Sequence, residues 1–488
     1  MMNCVRQVAW LALVTALLSS CLPSEATGPA ASPVVTETPT LVPAPQPTRS
    51  PFPPGSLIDY AVQSGDTLPA VAAHFNTTVE EIFAANPELP PAATTLPPGF
   101  IVHIPAYYVP LTGLPFHVLP DSEVVNGPTA VDFDIQAEIE RRPGFLSSMT
   151  DYAFRLTRPA WQVVQVVARN YSIHPRLLLT LLEYQTQALT KPFAEGDERI
   201  YPLGFRNIRY RGLFRQLIWA AEQISDGYYG WRMGTLREIE LADRHVVRPD
   251  PWWNSGTAGL HFLFAAMGGE DDYEAAVGPE GLYATYLSLW GDPAALAEDI
   301  IPANLQQPEL TLPFQPNRVW DFTGGPHYSW GTSLPLGALD FAPPAAEGGC
   351  AESDSWVAAP AAGAIARSGE SAVVLDLDGD GDERTGWVVF FFHIAAFERI
   401  AVGTAVQPGD FIGHPSCEGG QATGTHVHVA RRFNGEWISA GGALPFLMDG
   451  WVAAYGGAPY EGTLTRGSRV VPACTCSSAA NRILYEFP

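Results

Sequence analysis

Two histidines near the C-terminal end of this 488-residue chain, His426 and His428, are spaced so that both could act on one small volume. Side chains alternate between the two faces of a β-strand, so residues two apart lie on the same face. Two imidazoles on one face can reach a metal ion and a substrate beside it. The pair alone is a weak signal, because a chain with 11 histidines acquires such a spacing by chance fairly often.

Three further residues with metal-binding side chains stand near the ends of predicted strands: His327, Asp340 and His393. A buried strand has little reason to end in histidine unless the side chain is used. Two histidines and one carboxylate around Zn²⁺ leave a fourth position for water, which is typical of a hydrolytic rather than a structural site. Chemistry alone leaves open which member of the pair, His426 or His428, would be the ligand.

The segments around these residues favour β-structure. From about residue 311 the chain consists of short runs rich in Val, Phe and Ala that are broken by Gly, Pro and Asp. Such spacing predicts an all-β, antiparallel domain over 311–460, followed by an extension over 461–488. The predicted strands are 357–360, 363–366, 372–375, 387–393 and 426–431.

The ordered set His327, Asp340, His393 and Thr425-His426-Val427-His428 resembles the lysostaphin-like (LytM-type) zinc endopeptidases, which cut peptide cross-bridges in bacterial cell walls. The resemblance covers roughly 317–450, including 357–363 and 405–413. It implies that His327, Asp340 and His428 bind zinc, and that His393 and His426 lie beside the metal-bound water and stabilise the oxyanion. In the family the first histidine and the aspartate usually lie four positions apart, whereas here a longer loop separates them.

An acidic run between two predicted strands is a candidate second site. Asp376, Asp378, Asp380 and Asp382 alternate with other residues on a Gly-rich turn, which suits the oxygen-rich coordination of Ca²⁺. The run does not complete an EF-hand loop, because Trp387 occupies the twelfth position, where a glutamate is required. A calcium-clamped hairpin and a solvated acidic turn are both consistent with this pattern.

Residues 57–106 have the pattern of a small βααβ module, with two short helices between two strands. This run resembles a LysM module over its whole length, and LysM modules bind N-acetylglucosamine polymers such as peptidoglycan. The resemblance implies that the loop after the first strand (Gly65, Asp66, Thr67) and the loop after the second helix (Asn86, Pro87) contact the glycan.

The N-terminal segment predicts export. Residues 1–21 combine a basic start with an apolar stretch too short to span a bilayer, and Leu18-Ser19-Ser20-Cys21 resembles a bacterial lipobox whose Cys21 is lipidated. Residues 22–56 are rich in Pro, Ser, Thr and Ala and predict an extended spacer. The protein is therefore expected outside the cytoplasm, attached to the membrane only through its lipid anchor and facing the cell wall.

Cysteine content fits that location. Four cysteines remain in the C-terminal third, and the favoured pairing is Cys350–Cys417 with a tight Cys474–Cys476 loop. A Cys-x-Cys metal site is the alternative for the second pair.

The central region, 107–310, is predicted to be mainly helical, with helices at 161–170, 175–187, 211–225 and 272–289. Its aromatic residues are dense. They indicate either a buried scaffold or a cleft that binds sugars through stacked rings.

The resulting hypothesis is a multidomain cell-wall enzyme with a LysM module, a helical region and a zinc endopeptidase domain. Its substrate and partner would be peptidoglycan, through both glycan and stem peptides. A net charge of −24 argues against nucleic acid as a partner. The rival hypothesis is a catalytically inactive, peptidoglycan-binding regulator of another wall hydrolase.

Overall fold

The computed structural model of the protein describes residues 49–110, 113–344 and 348–485. The predicted signal segment 1–21, Cys21 and most of the predicted spacer lie outside these residues. Among the helices of the described part, none combines the length and the apolar character needed to cross a membrane.

The first module has the predicted βααβ order. Its elements are β1 (Ser56–Ala61), α1 (Leu68–His74), α2 (Val79–Ala85) and β2 (Ile101–Ala106). The two strands pair antiparallel, and the helices pack over them around a small apolar core. Helix α2 begins with a capping box, because Thr78 and Glu81 satisfy each other's backbone N–H groups. Short helices of this length depend on such caps and on tertiary packing.

The central region is mainly helical, as predicted, but the helices at Ile135–Glu140 and Ser255–Ala265 were not predicted, and the helix predicted to end at residue 225 continues to Arg232. Its helices are α3 (Ile135–Glu140), α4 (Ala160–Tyr171), α5 (Pro175–Thr186), α6 (Leu213–Arg232), α7 (Ser255–Ala265), α8 (Glu270–Val277) and α9 (Leu282–Trp290). Two short hairpins lie between them: β3 (Thr150–Ala153) with β4 (Leu156–Pro159), and β5 (Ile239–Glu240) with β6 (Val246–Val247). The predicted single helix 272–289 is instead α8 and α9. Gly281 lies at the break, where a Cβ would come within 2.3 Å of the Ala275 carbonyl oxygen.

Several large aromatic side chains of this region lie inside it. Trp219, Tyr228, Tyr229, Trp231, Trp253 and Tyr286 are all buried. They pack among the leucines and valines of the helices in one continuous core. Burial of this kind fits the scaffold interpretation of these six aromatics, because a sugar platform needs an exposed ring face.

The C-terminal part is built from strands, and its main sheet is antiparallel throughout. The strands are β7 (Val319–Tyr328), β8 (Leu336–Ala342), β9 (Val357–Ala358), β10 (Gly363–Gly369), β11 (Ala372–Asp376), β12 (Trp387–Phe392), β13 (Ala405–Val406), β14 (Phe411–Gly413), β15 (Val427–Phe433), β16 (Glu436–Trp437), β17 (Leu447–Met448), β18 (Trp451–Tyr455), β19 (Gly462–Arg466), β20 (Arg469–Pro472) and β21 (Arg482–Leu484). The main sheet has nine strands in the order β13-β10-β11-β12-β15-β8-β7-β21, with β16 paired to β15. A separate four-stranded sheet runs β17-β18-β19-β20.

The two faces of the main sheet have different partners. Leu339 and Val429 point into an apolar core that also contains residues of β18–β20. Phe392 points to the opposite face, where the sheet packs against the helical region. By strand alternation Asp340 and His428 share that second face. The candidate chemistry therefore lies on the side of the sheet that the helices partly cover.

A buried guanidinium joins the three parts of the chain. Arg232, at the end of α6, donates to both carboxylate oxygens of Glu436 on β16, at 2.9 Å each, and to Asp121 at 3.1 Å. It also donates to the Ser64 carbonyl oxygen of the first module at 2.5 Å. All three charged side chains are at least 89% buried. A buried cation with several anionic and carbonyl partners holds its surroundings in one arrangement.

We expect Glu436→Gln to lower the free energy of unfolding by about 3 kcal/mol, because it removes the anionic charge from a buried ion pair and leaves Arg232 partly uncompensated. Urea denaturation followed by tryptophan fluorescence would measure the change. Glu240→Gln is the matched control. Glu240 pairs with Arg244 on the surface, where ion pairs contribute about 0–1 kcal/mol. Equal stability of the two variants would contradict the role given to Arg232.

Candidate metal centre

Three side chains from three neighbouring strands converge on one point. The Nε2 atom of His327 lies 3.0 Å from Nδ1 of His428 and 3.2 Å from Oδ1 of Asp340. The Nδ1 atom of His428 lies 3.5 Å from the same Asp340 oxygen. A tetrahedral Zn²⁺ with bonds of about 2.0–2.1 Å separates its ligand atoms by about 3.3 Å. The three atoms therefore form a triangle of the size that one face of such a site requires.

The strand register explains why residues far apart in sequence meet here. On β15, His428 stands opposite Asp340 of β8, and Asp340 in turn stands opposite Gly324 of β7. His327 lies three residues further along β7, opposite Ala338, which is two residues before Asp340 on β8. The β7–β8 hairpin therefore brings Asp340 back beside His327. A Cβ at position 324 would lie 2.5 Å from Oδ2 of Asp340, so glycine leaves room for the carboxylate. The long loop between His327 and Asp340 therefore lies at the end of the hairpin and does not separate the two side chains.

Backbone carbonyl groups orient both histidines. The Nδ1–H group of His327 donates to the Gly325 carbonyl oxygen at 2.9 Å, and the Nε2–H group of His428 donates to the Ser329 carbonyl oxygen at 3.1 Å. Each bond assigns the proton to the outer ring nitrogen and leaves the inner nitrogen with a free lone pair. The Oδ1 atom of Asp340 is buried and has no hydrogen-bond donor. A cation would satisfy all three atoms.

The charges around Asp340 support this interpretation. Burial opposes ionisation of the carboxyl, but the adjacent His327 imidazole holds the pKa of Asp340 well below its usual value. Burial lowers the pKa of His428, although the nearby Asp340 carboxylate acts in the opposite direction. Burial disfavours the protonated form of His327, but the Asp340 carboxylate raises the pKa of His327 above its usual value. A metal bound to the cluster would therefore replace a proton at His327.

His393 and His426 lie beside this triangle. Their ring centroids are 4.5 Å apart, and Nε2 of His426 is 3.8 Å from Oδ1 of Asp340. The Nδ1–H groups donate to the Glu418 and Gly424 carbonyl oxygens at 2.8 Å each, which leaves both Nε2 atoms as acceptors. Burial lowers the pKa of His393 to about 3, with His426 and His428 contributing. His393 is therefore a neutral acceptor at neutral pH.

Backbone geometry places His393 outside its predicted strand. Strand β12 ends at Phe392, and His393 follows with φ of +63°. Residues other than glycine rarely adopt this left-handed conformation, and they do so more often at functional sites. The turn directs the ring toward His426 instead of continuing the strand alternation. His426 likewise precedes β15, in an isolated bridge to Ser416.

A disulfide joins the two loops that support these histidines. Cys350 pairs with Cys417, and Cys474 pairs with Cys476, so the favoured pairing is confirmed. Next to Cys350, the Gly349 carbonyl oxygen accepts the Thr425 N–H group at 2.9 Å, one residue before His426. Next to Cys417, the Glu418 carbonyl oxygen holds His393. The Cys350–Cys417 bond thus braces both catalytic candidates.

Removal of this bond, by the double change Cys350→Ser and Cys417→Ser, is expected to lower kcat/KM roughly 10-fold to 100-fold with zinc content unchanged. Groups that orient functional side chains have effects of this size. Peptide hydrolysis and metal analysis of the purified variant would measure both quantities. The matched control is Cys474→Ser with Cys476→Ser, which opens a short loop held by Asn481. Equal losses in the two variants would contradict a specific bracing role.

Sequence patterns did not reveal the tyrosine that covers the site. The ring of Tyr460 stacks on His327 with centroids 4.2 Å apart and an interplanar angle of 19°. Its side chain is partly exposed, and its backbone N–H donates to the Pro326 carbonyl oxygen. Tyr460 lies after β18, in a segment that no predicted strand or motif included. Only the packing of the second sheet brings it to the metal candidates.

The acidic run forms the turn between β11 and β12. Carboxylate oxygens of Asp376, Asp378 and Asp380 lie within 4.8 Å of one another. Asp382 pairs instead with Arg384 at 2.6 Å. Asp376 is buried and accepts the Gly381 N–H group at 2.8 Å. Calcium binding at this turn stays a prediction.

The predicted glycan-contacting residues of the first module are mostly enclosed. A Cβ at Gly65 would lie 2.5 Å from the Arg232 guanidinium, and Asp66 accepts from the Tyr60 hydroxyl at 2.6 Å. Thr67 caps α1, while Asn86 binds the backbone of β2 through both amide atoms. Of the five residues predicted to contact glycan, these four are not exposed, whereas Pro87 is.

Comparison with known proteins agrees with the modules described above. The LysM domain profile matches residues 60–105, and the profile of the LasA N-terminal domain matches residues 117–304. The chain is 27% identical to Protease LasA of Pseudomonas aeruginosa over 357 residues, which is 68% of this chain and 77% of the relative. This chain is a LysM-containing homologue of the LytM-type zinc metalloendopeptidases. Its helical region is the part that matches the LasA N-terminal domain.

Two further matches cover a shorter part of this chain. The beta-lytic metalloendopeptidase of Achromobacter lyticus is 26% identical over 164 residues, covering 32% of this chain and 41% of the relative. Among solved structures, the M23 metalloprotease pseudoalterin, from the deep sea, is 24% identical, with a TM-score of 0.30 over 34% of this chain and 96% of that one.

Proposed function

We propose that this protein is a zinc-dependent endopeptidase that hydrolyses peptide cross-links of peptidoglycan. The observation that carries the proposal is the convergence of His327 Nε2, Asp340 Oδ1 and His428 Nδ1, with two acceptor histidines beside them. Two imidazoles and one carboxylate are a donor set that suits Zn²⁺ in a hydrolytic site. When bound, the ion supplies a Lewis acid that activates water near neutral pH and polarises a carbonyl group.

The residues around the metal ligands would orient the water and transfer the proton. His393, which burial keeps neutral, accepts a hydrogen bond through Nε2 and orients the attacking water. His426, whose side chain is 15% exposed, takes a proton through Nε2 and delivers it to the leaving amine. The Gly325 and Ser329 carbonyl groups hold the ligand histidines in place throughout. Tyr460 shields one face of His327 from water.

The peptidoglycan substrate is supported by the module order. A LysM domain precedes a region that resembles LasA, and the matched relatives are named protease and metalloendopeptidase. A module that binds the glycan raises the local concentration of the attached peptides for the protease. Export and attachment through Cys21 would place both at the cell wall, facing the substrate.

Digestion of purified peptidoglycan, with mass analysis of the products, tests the proposal. Wild type should release peptides cut at a cross-link, and activity should vanish with a chelator and return with Zn²⁺. His428→Ala should be inactive on the same substrate. Equal activity in both would refute the assigned site. A metal-free, inert wild type that still binds the wall would indicate the regulator hypothesis instead.

A further inference from the structure

A segment of the chain itself lies across the two loops of the LysM module. Residues 300–305, here called the connector, join the helical region to the strands of the LytM-type domain. They run past Ser64, in the loop after β1, and past Thr94 and Thr95, in the loop before β2. These are the two loops that the LysM resemblance assigns to glycan. The Asp66 carbonyl oxygen accepts the Leu96 N–H group at 2.8 Å, so the loops form one surface.

Six hydrogen bonds fix the connector there, and all of them use connector backbone. Ser64 exchanges two with Ile301: its Oγ donates to the carbonyl oxygen at 3.1 Å and accepts the N–H group at 2.9 Å. Thr95 makes three: its Oγ1 donates to the Pro302 carbonyl oxygen at 2.7 Å and accepts the Leu305 N–H group at 2.9 Å, and its carbonyl oxygen accepts the Asn304 N–H group at 2.9 Å. Thr94 Oγ1 donates to the Leu305 carbonyl oxygen at 2.6 Å.

The buried side chains of the connector pack on the helical region, so the LysM loops hold it through its backbone. Ile301 is 2% exposed and Leu305 is 5% exposed, and both belong to the core of the helical region, whereas Ala303 between them is exposed. The contact with the LysM module therefore depends on the six hydrogen bonds.

The chemistry of these contacts matches an N-acetylated glycan. Each N-acetyl group is a secondary amide, with the same N–H donor and carbonyl acceptor as a peptide unit. The loops bind the connector through alternating peptide donors and acceptors, so a chain of acetamido groups presents equivalent partners. The connector and the glycan therefore compete for the same hydroxyl and carbonyl groups of Ser64, Thr94 and Thr95.

We propose that the connector is an internal ligand of the LysM module, and that N-acetylglucosamine polymer must displace it to bind. The inference rests on the proposed wall-binding function and adds its regulation. A module that is docked about nine-tenths of the time binds its ligand about ten-fold more weakly than a free one. Wall glycan and the docked arrangement are thus mutually exclusive at this surface.

Displacement of the connector would also affect the strands of the LytM-type domain. The Ile300 carbonyl oxygen accepts from Asn434 Nδ2 at 2.7 Å, in the turn between β15 and β16. Two residues earlier, the Glu298 N–H group donates to Ser122 Oγ at 3.1 Å, in the segment before the helices. Strand β15 carries His428. Release of the connector therefore loosens a tie between the helical region and the strand that holds a metal ligand.

Titration of the full-length chain with an N-acetylglucosamine hexamer tests the proposal. Asn304→Pro removes the N–H group that the Thr95 carbonyl oxygen accepts, and proline cannot adopt the φ of +49° found at this exposed residue, so it should release the connector and raise affinity about ten-fold over wild type. Asn304→Gly keeps the N–H group and tolerates the positive φ, so it should leave affinity unchanged. A glucosamine hexamer, which lacks acetyl groups, should bind none of the three.

A cross-linked variant keeps the test decisive if Asn304→Pro fails to fold. Thr95→Cys with Asn304→Cys joins two backbones that already exchange a hydrogen bond. The oxidised form should not bind the hexamer, and reduction should restore the binding of the single variant Thr95→Cys, which is the reference because it lacks the same hydroxyl. Equal affinity of wild type and Asn304→Pro, binding by the locked form, or no binding by any form would overturn the proposal. Peptide hydrolysis by the same preparations decides the proposed function separately.

Discussion

Asp340→Asn is expected to abolish stoichiometric zinc binding and to lower peptide hydrolysis roughly 10³-fold. The carboxylate supplies the only negative charge among the three converging ligands, and Oδ1 lies within 3.5 Å of both histidine nitrogens. A neutral amide keeps the shape but loses the charge that offsets the cation. Losing several kcal/mol of transition-state stabilisation corresponds to about three powers of ten in rate.

Asp321→Asn is the matched control for this variant. Asp321 is a buried carboxylate on the adjoining strand β7, and it pairs with Arg482 of β21 at 3.7 Å. Metal content by mass spectrometry and hydrolysis of a wall peptide would be measured on both proteins. Asp321→Asn should keep zinc and activity. Full zinc occupancy in Asp340→Asn would remove Asp340 from the ligand set.

His426→Ala is expected to keep zinc and to lose roughly 10²-fold to 10⁴-fold in kcat, the range that general acid–base groups contribute. The Nε2 atom of His426 is 3.8 Å from the Asp340 oxygen, which is farther than the ligand nitrogens of His327 and His428. The Nδ1–H group of His426 donates to the Gly424 carbonyl oxygen and its side chain is partly exposed, so Nε2 is the nitrogen available to exchange a proton with the reacting groups. His426 is not one of the three proposed zinc ligands, which are His327, Asp340 and His428.

Comparison of zinc content and kcat separates this role from that of His428. His245→Ala, a surface histidine that pairs with Asp243 in the helical region, controls for loss of an imidazole. It should match wild type in both measurements. If His426→Ala loses zinc along with activity, His426 is a ligand, and the assignment of the pair has to be exchanged.

Much of the site could be predicted because it depends on local order. The five residues stand at strand ends in a family order, and strand alternation already placed Asp340 and His428 on usable faces. The spacing of His327 and Asp340 was harder to interpret, because the pairing of β7 with β8 contains three register shifts that no sequence pattern reveals. A loop of seven residues, 329–335, connects the two strands.

Other features were not predictable because they arise from packing between distant segments. Tyr460 reaches His327 only through the second sheet, and the Ser329 carbonyl oxygen reaches His428 only through the long hairpin loop. The enclosure of Gly65 depends on the docking of α6, and periodicity within a module carries no information about its partners. The break between α8 and α9 comes from a close backbone approach at Gly281.

The contact between the LysM module and α6 limits how this protein can be divided. The His74 ring stacks on Trp231 with centroids 3.5 Å apart, and Phe75 packs edge-on against Trp252 at 5.0 Å. A fragment beginning at residue 107 would expose both tryptophans together with the Arg232 guanidinium. Newly exposed apolar patches of this kind promote self-association. The boundary that is evident in the sequence is therefore a poor place to cut, and catalytic measurements require the LysM module to stay attached.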